Sequence, residues 1–437
     1  MGMAISDTLH VPSVHHTIEE VAGKLEESEP RLARTFRQCY PNAIETTTQL
    51  LPDGTTFVFT GDIPAMWLRD SSAQVRPYVP LTAVDSDLAR VIRGLIRRQA
   101  QYILTDAYAN AFNREANGLH NSPDRTEMGP WIWERKFELD SLCYPVQLLQ
   151  DYWAATGDRL ALDDAVYGML RRIVEVMRVE QEHDRRSPYC FERDDDERPL
   201  DTLPFGGRGT RTNYTGMVWS GFRPSDDACT FGYHIPSNMF AVVILGHVAH
   251  FAAECYADPD LAARALQLRR EIDLGIRTYG RVDHPRYGRI YAYETDGYGN
   301  HVLMDDANVP SLLSIPYLGY CPADAPDYKR TRAFALSHDN PYYVEGTFAR
   351  GIGSPHTPAR HVWPLALAMQ GLTSADPLEQ RQLLEVLVAT TAGTDFMHES
   401  FDPDHPERYT RAWFAWANSL FGDFVVRWVR SGGLERG

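Results

Sequence analysis

Residues Ser237 to Phe251 read SNMFAVVILGHVAHF, apolar on nearly every side of a helix. A helix patterned this way must be surrounded by other elements, because a surface helix needs a polar face. Ala307–Tyr317, His361–Met369 and Trp413–Trp428 are similar. In the last of these, Trp413, Trp416, Leu420, Phe424 and Trp428 recur at helical spacing, as packed core side chains do. Between the apolar stretches lie amphipathic ones. Leu88, Val91, Ile92, Leu95, Ile96 and Ile103 follow a 3.6-residue period, as do Leu142–Trp153, Val166–Met177 and Leu261–Ile276. Residues 15–39 read as a helix or a pair broken near Pro30, and Thr55–Thr60 as a short strand. The alternation predicts about twelve helices in an all-α fold: one (α/α)6 barrel of six inner and six outer helices, with short β elements in its loops. No linker or fixed-period repeat divides the chain, so residues 1–437 are expected to form one catalytic domain, with about 15 flexible N-terminal residues.

The formal charge of -16 disfavours nucleic acid and anionic membranes as partners and favours a neutral or cationic ligand. Only three lysines occur, Lys24, Lys136 and Lys329, so arginine carries nearly all the positive charge. Six scattered cysteines form no CxxC pair, which fits free thiols in a reducing compartment. The N-terminus has no basic or apolar leader pattern, and no uninterrupted apolar run approaches ~18 residues. The expectation is a soluble, cytoplasmic protein. The acidic run Glu192–Arg198 reads as a solvated loop. Gly206–Thr215 reads as another loop; it lacks the Lys-Ser/Thr ending of a phosphate cradle.

Six polar and aromatic clusters precede the inner helices: Asp62–Asp70, Glu127–Ser141, Arg223–Asn238, Asp305–Ser311, Gly353–Trp363 and His398–Trp413. Ordinary loops favour Gly, Ser, Asn and Pro. These hold Trp67, Trp131, Trp133, Trp363 and Trp413 among Asp, Glu, Arg, His and Asn. A helical barrel places the N-termini of its inner helices at one end, so the clusters are expected to line one cavity. The first packs Asp62, Trp67, Arg69 and Asp70 into nine residues. An indole face beside a cation and carboxylates suits a sugar, whose C–H face stacks while its hydroxyls need donors and acceptors. The same stretch also reads as a capped helix start with a surface ion pair.

Glycoside hydrolysis needs two carboxyl groups, one protonated and one ionised. Asp226 and Asp227 are adjacent acids, although such pairs are also common in turns. Glu399 sits between hydrophobic flanks in Met397-His-Glu-Ser-Phe401. For a metal, Asp305-Asp306-Ala-Asn308 lacks calcium-loop spacing, and His356, His361 and His398 form no zinc motif. No metal or other cofactor is expected.

Four stretches, Thr60–Gln74 (TGDIPAMWLRDSSAQ), Gly221–Leu245, Met304–Tyr317 and Phe396–Phe421, closely resemble glycoside hydrolase family 125, the metal-independent exo-α-1,6-mannosidases. The resemblance runs from about residue 35 to the end. It implies the (α/α)6 barrel, and hydrolysis with inversion that releases mannose from the non-reducing end of a mannose-containing oligosaccharide. By motif, Asp226 resembles the general acid and Glu399 the general base, which for inversion stand roughly 6.5–9.5 Å apart. Arg69 and Asp70 resemble clamps on the terminal mannose, with Trp67 or Trp363 as walls. Asp62, Asp227, Asn308 and His356 complete the candidate sugar contacts. Arg76 departs from the family pattern, where an aromatic is expected, and puts a rim contact in question. Two other readings stay open: an inverting barrel glycosidase of different specificity, and a mannoside-binding protein without catalysis.

Overall fold

The computed structural model describes residues 11–194 and 198–436. Residues 195–197 of the acidic run, and the first ten of the expected flexible segment, lie outside them. Helix already begins at Pro12, earlier than expected.

The inner ring starts with Leu68–Val75, continued by a 3-10 stretch to Ala83. It passes through Leu139–Thr156, Ile235–His250, Pro364–Leu372 and Ala415–Arg430. The last inner helix packs on the first, which closes the ring. Outside lie Pro12–Leu25 with Pro30–Cys39, Ser86–Thr105, Asp164–Glu180, Pro259–Tyr279, Pro326–Ala335 and Pro377–Ala389. One continuous core runs from Val11 to Val429. Outer helices start at clear caps: Asp85, Asp163, Asp258 and Asp376 each accept a backbone N–H in the following turn.

Two expectations change. Leu139–Thr156 is an inner helix despite its amphipathic pattern; its polar residues Asp140, Ser141 and Gln147 are buried because they face other polar groups inside the barrel. The fourth inner position, Ala307–Tyr317, is a chain of turns. Pro310 and Pro316 lack an N–H and push the preceding residue away from helical geometry. Asp305 accepts the N–H groups of Leu312 and Leu313 (2.7 and 2.9 Å), and Ser311 and Ser314 bond each other.

Ile235–Cys255 is long and apolar enough to cross a membrane by composition, but 78% of its most apolar window is buried among its neighbours. Short antiparallel ladders form in the loops. Met66–Trp67 pairs with Ala111–Phe112, which pairs with Ile132–Glu134; Ser400–Phe401 pairs with Tyr409–Thr410. These ladders hold the clusters ahead of the inner helices.

Packing is tight where Gly371 of Pro364–Leu372 meets the last inner helix. A Cβ on Gly371 would stand 2.1 Å from Cζ of the buried Phe424 ring. Gly371→Ala is therefore expected to destabilise the fold by about 1–3 kcal/mol through overpacking. Chemical denaturation against wild type checks this, and an unchanged midpoint would refute it.

Candidate active site

Arg69 and Asp70 stand in the first turn of the first inner helix, immediately after the Met66–Trp67 strand. Both are buried, so the surface-pair reading of this segment fails. Arg69 lies among four carboxyl groups. Its Nη1 donates to Glu138 and to Asp140 (3.2 Å), and its Nη2 to Asp226 (3.1 Å). Its Nε is 3.5 Å from Asp70. Burial pushes the Asp70 carboxyl up to about 6, with Arg69 pulling the other way.

Asp226 sits in a tight turn in which Arg223 N–H donates to the Asp227 carbonyl (2.7 Å) and Asp226 N–H to the Arg223 carbonyl (2.9 Å). Its backbone is left-handed (φ 68°), a conformation Asp tolerates better than most residues. Lys136 Nζ holds the Asp226 carbonyl at 2.7 Å and Asp201 at 2.6 Å. These contacts keep the Asp226 carboxyl at Arg69.

Across the pocket, Glu399 directly precedes the Ser400–Phe401 strand. That strand exchanges two 2.9 Å backbone bonds with Val362, next to Trp363. Arg411, itself left-handed (φ 39°), comes within 3.5 Å of Glu399. Arg411 also bonds Asp62 and the Thr60 carbonyl (2.9 Å), so the first and last loop clusters are clasped together.

The walls leave a narrow pocket that opens to solvent. Its lining includes Trp67, Arg69, Asp70, Asp226, Asn308, His356, Trp363 and Glu399, all expected from the sequence. Trp363 is fixed by its Nε1–H to Thr357 Oγ1 (2.9 Å) and packs edge-on to Phe414. Among the described residues, Thr60 Oγ1, Trp67 Nε1 and Ser225 Oγ are buried without a protein hydrogen-bond partner, and all three residues line this pocket. Buried polar atoms are ordinarily paired, so these fit a polyhydroxyl ligand.

Two expected residues stand elsewhere. Asp62 is half-exposed and faces Arg411 rather than the pocket; Asp227 is buried behind His356, whose Nδ1 lies 3.0 Å from its Oδ1. Trp131, Trp133 and Trp413 are also outside the lining, and Trp413 donates to Asn42 (3.0 Å). Arg76 points away from any rim. It pairs with Asp151 (2.9 Å) beneath the Tyr317 ring.

Sequence reasoning missed Arg411, Phe414, Trp416, Glu138 and Asp140. Both acids lie within the Glu127–Ser141 cluster and Arg411 within the last one. A count of charges per cluster signals them, but not their common focus on Arg69 and Glu399. Size alone does not find the site either. A larger cleft of about 1300 Å³ is lined by Arg269, Arg270 and Arg277 with Asp273, on another face. No group of three metal-ligating side chains occurs among the described residues.

Burial opposes charge on His356, but the hydrogen bond and charge of Asp227, with the charges of Asp226 and Glu399, together outweigh it and the imidazole is pushed up to about 9. Its ordinary value is about 6.5. The pair thus stabilises the fold fully below about pH 6.5, and this contribution disappears as pH rises through about 9. Thermal melts of wild type and His356→Gln should converge across that window. A gap independent of pH would refute the ion pair.

A family model described as metal-independent alpha-mannosidase (GH125) matches residues 29–426. The Meiotically up-regulated gene 157 protein of Schizosaccharomyces pombe is 41% identical over 441 residues, which cover 96% of this chain and 86% of that protein. A solved Streptococcus pneumoniae structure, from work on widely distributed metal-independent alpha mannosidases, is a non-productive complex with alpha-1,6-mannobiose. It is 46% identical, covers 97% of this chain and 100% of that one, and superposes with a TM-score of 0.94. A bacterial glucoamylase complexed with acarbose is 12% identical, covers 84% of this chain and 49% of its own, and gives 0.54, a likeness of fold alone.

Proposed function

We propose that this chain, which belongs to glycoside hydrolase family 125, the metal-independent α-mannosidases, is an exo-acting α-1,6-mannosidase that inverts the anomeric centre. The observation that carries the reading is the pair Asp226 and Glu399 in one small, indole-walled pocket. The mannobiose complex of the Streptococcus pneumoniae relative supports the linkage. A narrow pocket walled by loops from five clusters suits a chain end better than a polymer's middle.

In this reading Asp226 protonates the glycosidic oxygen as the bond to C1 breaks. Glu399 takes a proton from a water that attacks C1 from the opposite face. Arg411, 3.5 Å from Glu399, orients that carboxylate. Asp70, Asn308 and His356 receive the sugar's hydroxyls, and Trp67 and Trp363 bound its apolar faces. The charge change falls between a leaving oxygen over Arg69 and a water beside Arg411, each in a buried, pre-set environment. Six free cysteines are the support for a reducing, cytoplasmic setting.

Proton NMR of α-1,6-mannobiose hydrolysis, with excess EDTA present, tests the chemistry. β-Mannose should appear first, and isomaltose should be a far poorer substrate. Early α-mannose would mean retention; preference for isomaltose would mean a glucosidase; binding without release would mean an inactive lectin-like protein. Asp226→Asn and Glu399→Gln should each lower kcat on the disaccharide by about 10²–10⁴-fold while keeping the fold. Near wild-type turnover by either variant would show that its residue is neither the acid nor the base.

A further inference from the structure

Glu138 lies at the bottom of this site but outside the lining of the pocket. Its side chain has no solvent exposure, as is true of Asp140, whereas Asp226 retains 25%. Around Arg69 four carboxyl groups face one guanidinium. The neighbouring cations are committed elsewhere: Lys136 to Asp201 and a carbonyl, Arg411 to Asp62 and Glu399, His356 to Asp227. Four carboxylates out of water around one cation are too many negative charges, so the cluster retains a proton. The Glu138 and Asp226 carboxyl groups take adjacent nitrogens of the same guanidinium, Glu138 at Nη1 and Asp226 at Nη2 (3.1 Å), which sets the two acids side by side, where repulsion between like charges favours one of them neutral.

We propose that Glu138 stores the proton that Asp226 delivers, so that the acid of this site is two carboxyl groups sharing one proton. The inference rests on the reading of Asp226 as general acid. Burial pushes Glu138 well above the ordinary carboxyl range. Partial burial raises Asp226 as well, but the Arg69 charge holds it below that range. In the free protein the proton therefore rests on Glu138. A sugar that covers the last water-facing side of Asp226 reverses the preference. The negative charge is then better left on Glu138, where Arg69, Ser141 Oγ (2.9 Å) and Asn110 Nδ2 (3.3 Å) all donate.

The steps balance. The proton crosses from Glu138 to Asp226, leaving Glu138 ionised. Asp226 then protonates the glycosidic oxygen as C1–O breaks, and returns to carboxylate. Glu399 accepts a proton from the attacking water as O–C1 forms. After product release Glu399 gives its proton to solvent, and solvent returns one to the Glu138–Asp226 pair. Glu138 acts through Asp226 and is a positioning residue.

The test compares two substrates. α-1,6-Mannobiose needs its leaving oxygen protonated; 2,4-dinitrophenyl α-mannoside does not, because the phenolate leaves unaided. Glu138→Gln keeps the shape, and its amide can donate to Asp226, but it has no proton to transfer. It should match Asp226→Asn, losing at least ~100-fold in kcat/KM on the disaccharide and less than ~10-fold on the aryl mannoside. Glu138→Asp should recover part of the disaccharide activity. Equal losses by Glu138→Gln on both substrates would make Glu138 structural and overturn the inference. So would wild-type kinetics on both while Asp226→Asn shows the split, an outcome that leaves Asp226 as the acid. If Asp226→Asn itself shows no split, the reading of Asp226 falls instead. Should Glu138→Gln not fold, Glu138→Asp decides between the same outcomes.

Discussion

Arg69 is the charge on which the site is built. A guanidinium buried in a barrel has lost most of its hydration, and only close carboxylates compensate for that loss. Its partners come from separate parts of the chain: Asp70 beside it, Glu138 and Asp140 from the second inner helix and its approach, and Asp226 from the turn ahead of the third. One ion cluster therefore ties three neighbouring staves together at the end where the loops gather. It also leaves more acid than base out of water, which turns a structural ion cluster into a place that holds a proton.

The opposite wall follows a different logic. Glu399 is placed by strand pairing, with Ser400 opposite Thr410 and Phe401 bonded to Val362. Arg411 then reaches back to Thr60 and Asp62 at the start of the first cluster. The chain's last loop is thereby fastened to its first. Both walls include a residue held in left-handed backbone, Asp226 and Arg411. Such conformations persist where surrounding contacts over-determine them, as the Lys136 and Asp62 contacts do in this pocket.

The net charge of -16 and a pocket whose acids Asp70, Asp226 and Glu399 face Arg69, Arg411 and His356 suit a neutral ligand with both donors and acceptors. Indole and phenyl faces supply the apolar contact and buried side chains the polar ones. The irregular fourth stave serves the same end: its turns bring Asn308 to the pocket wall.

Much of this was legible in the sequence. Residues apolar on all sides, alternating with amphipathic stretches, determine layered helices, since each pattern states how many of its faces must leave water. The clustered tryptophans and acids ahead of those helices, with four motifs resembling one hydrolase family, marked the site and its acid and base candidates. What the sequence could not decide is which polar residues turn inward together. Asp62 and Asp227 look as well placed as Asp70 and Asp226, yet one faces Arg411 and the other lies behind His356. Glu138 and Arg411 look like ordinary charged residues until the barrel closes. The identity of a residue fixes its charge, but its role in this site depends on burial and on partners up to 351 positions away, as between Thr60 and Arg411. Those are set only when the ring of helices brings its loops to one end.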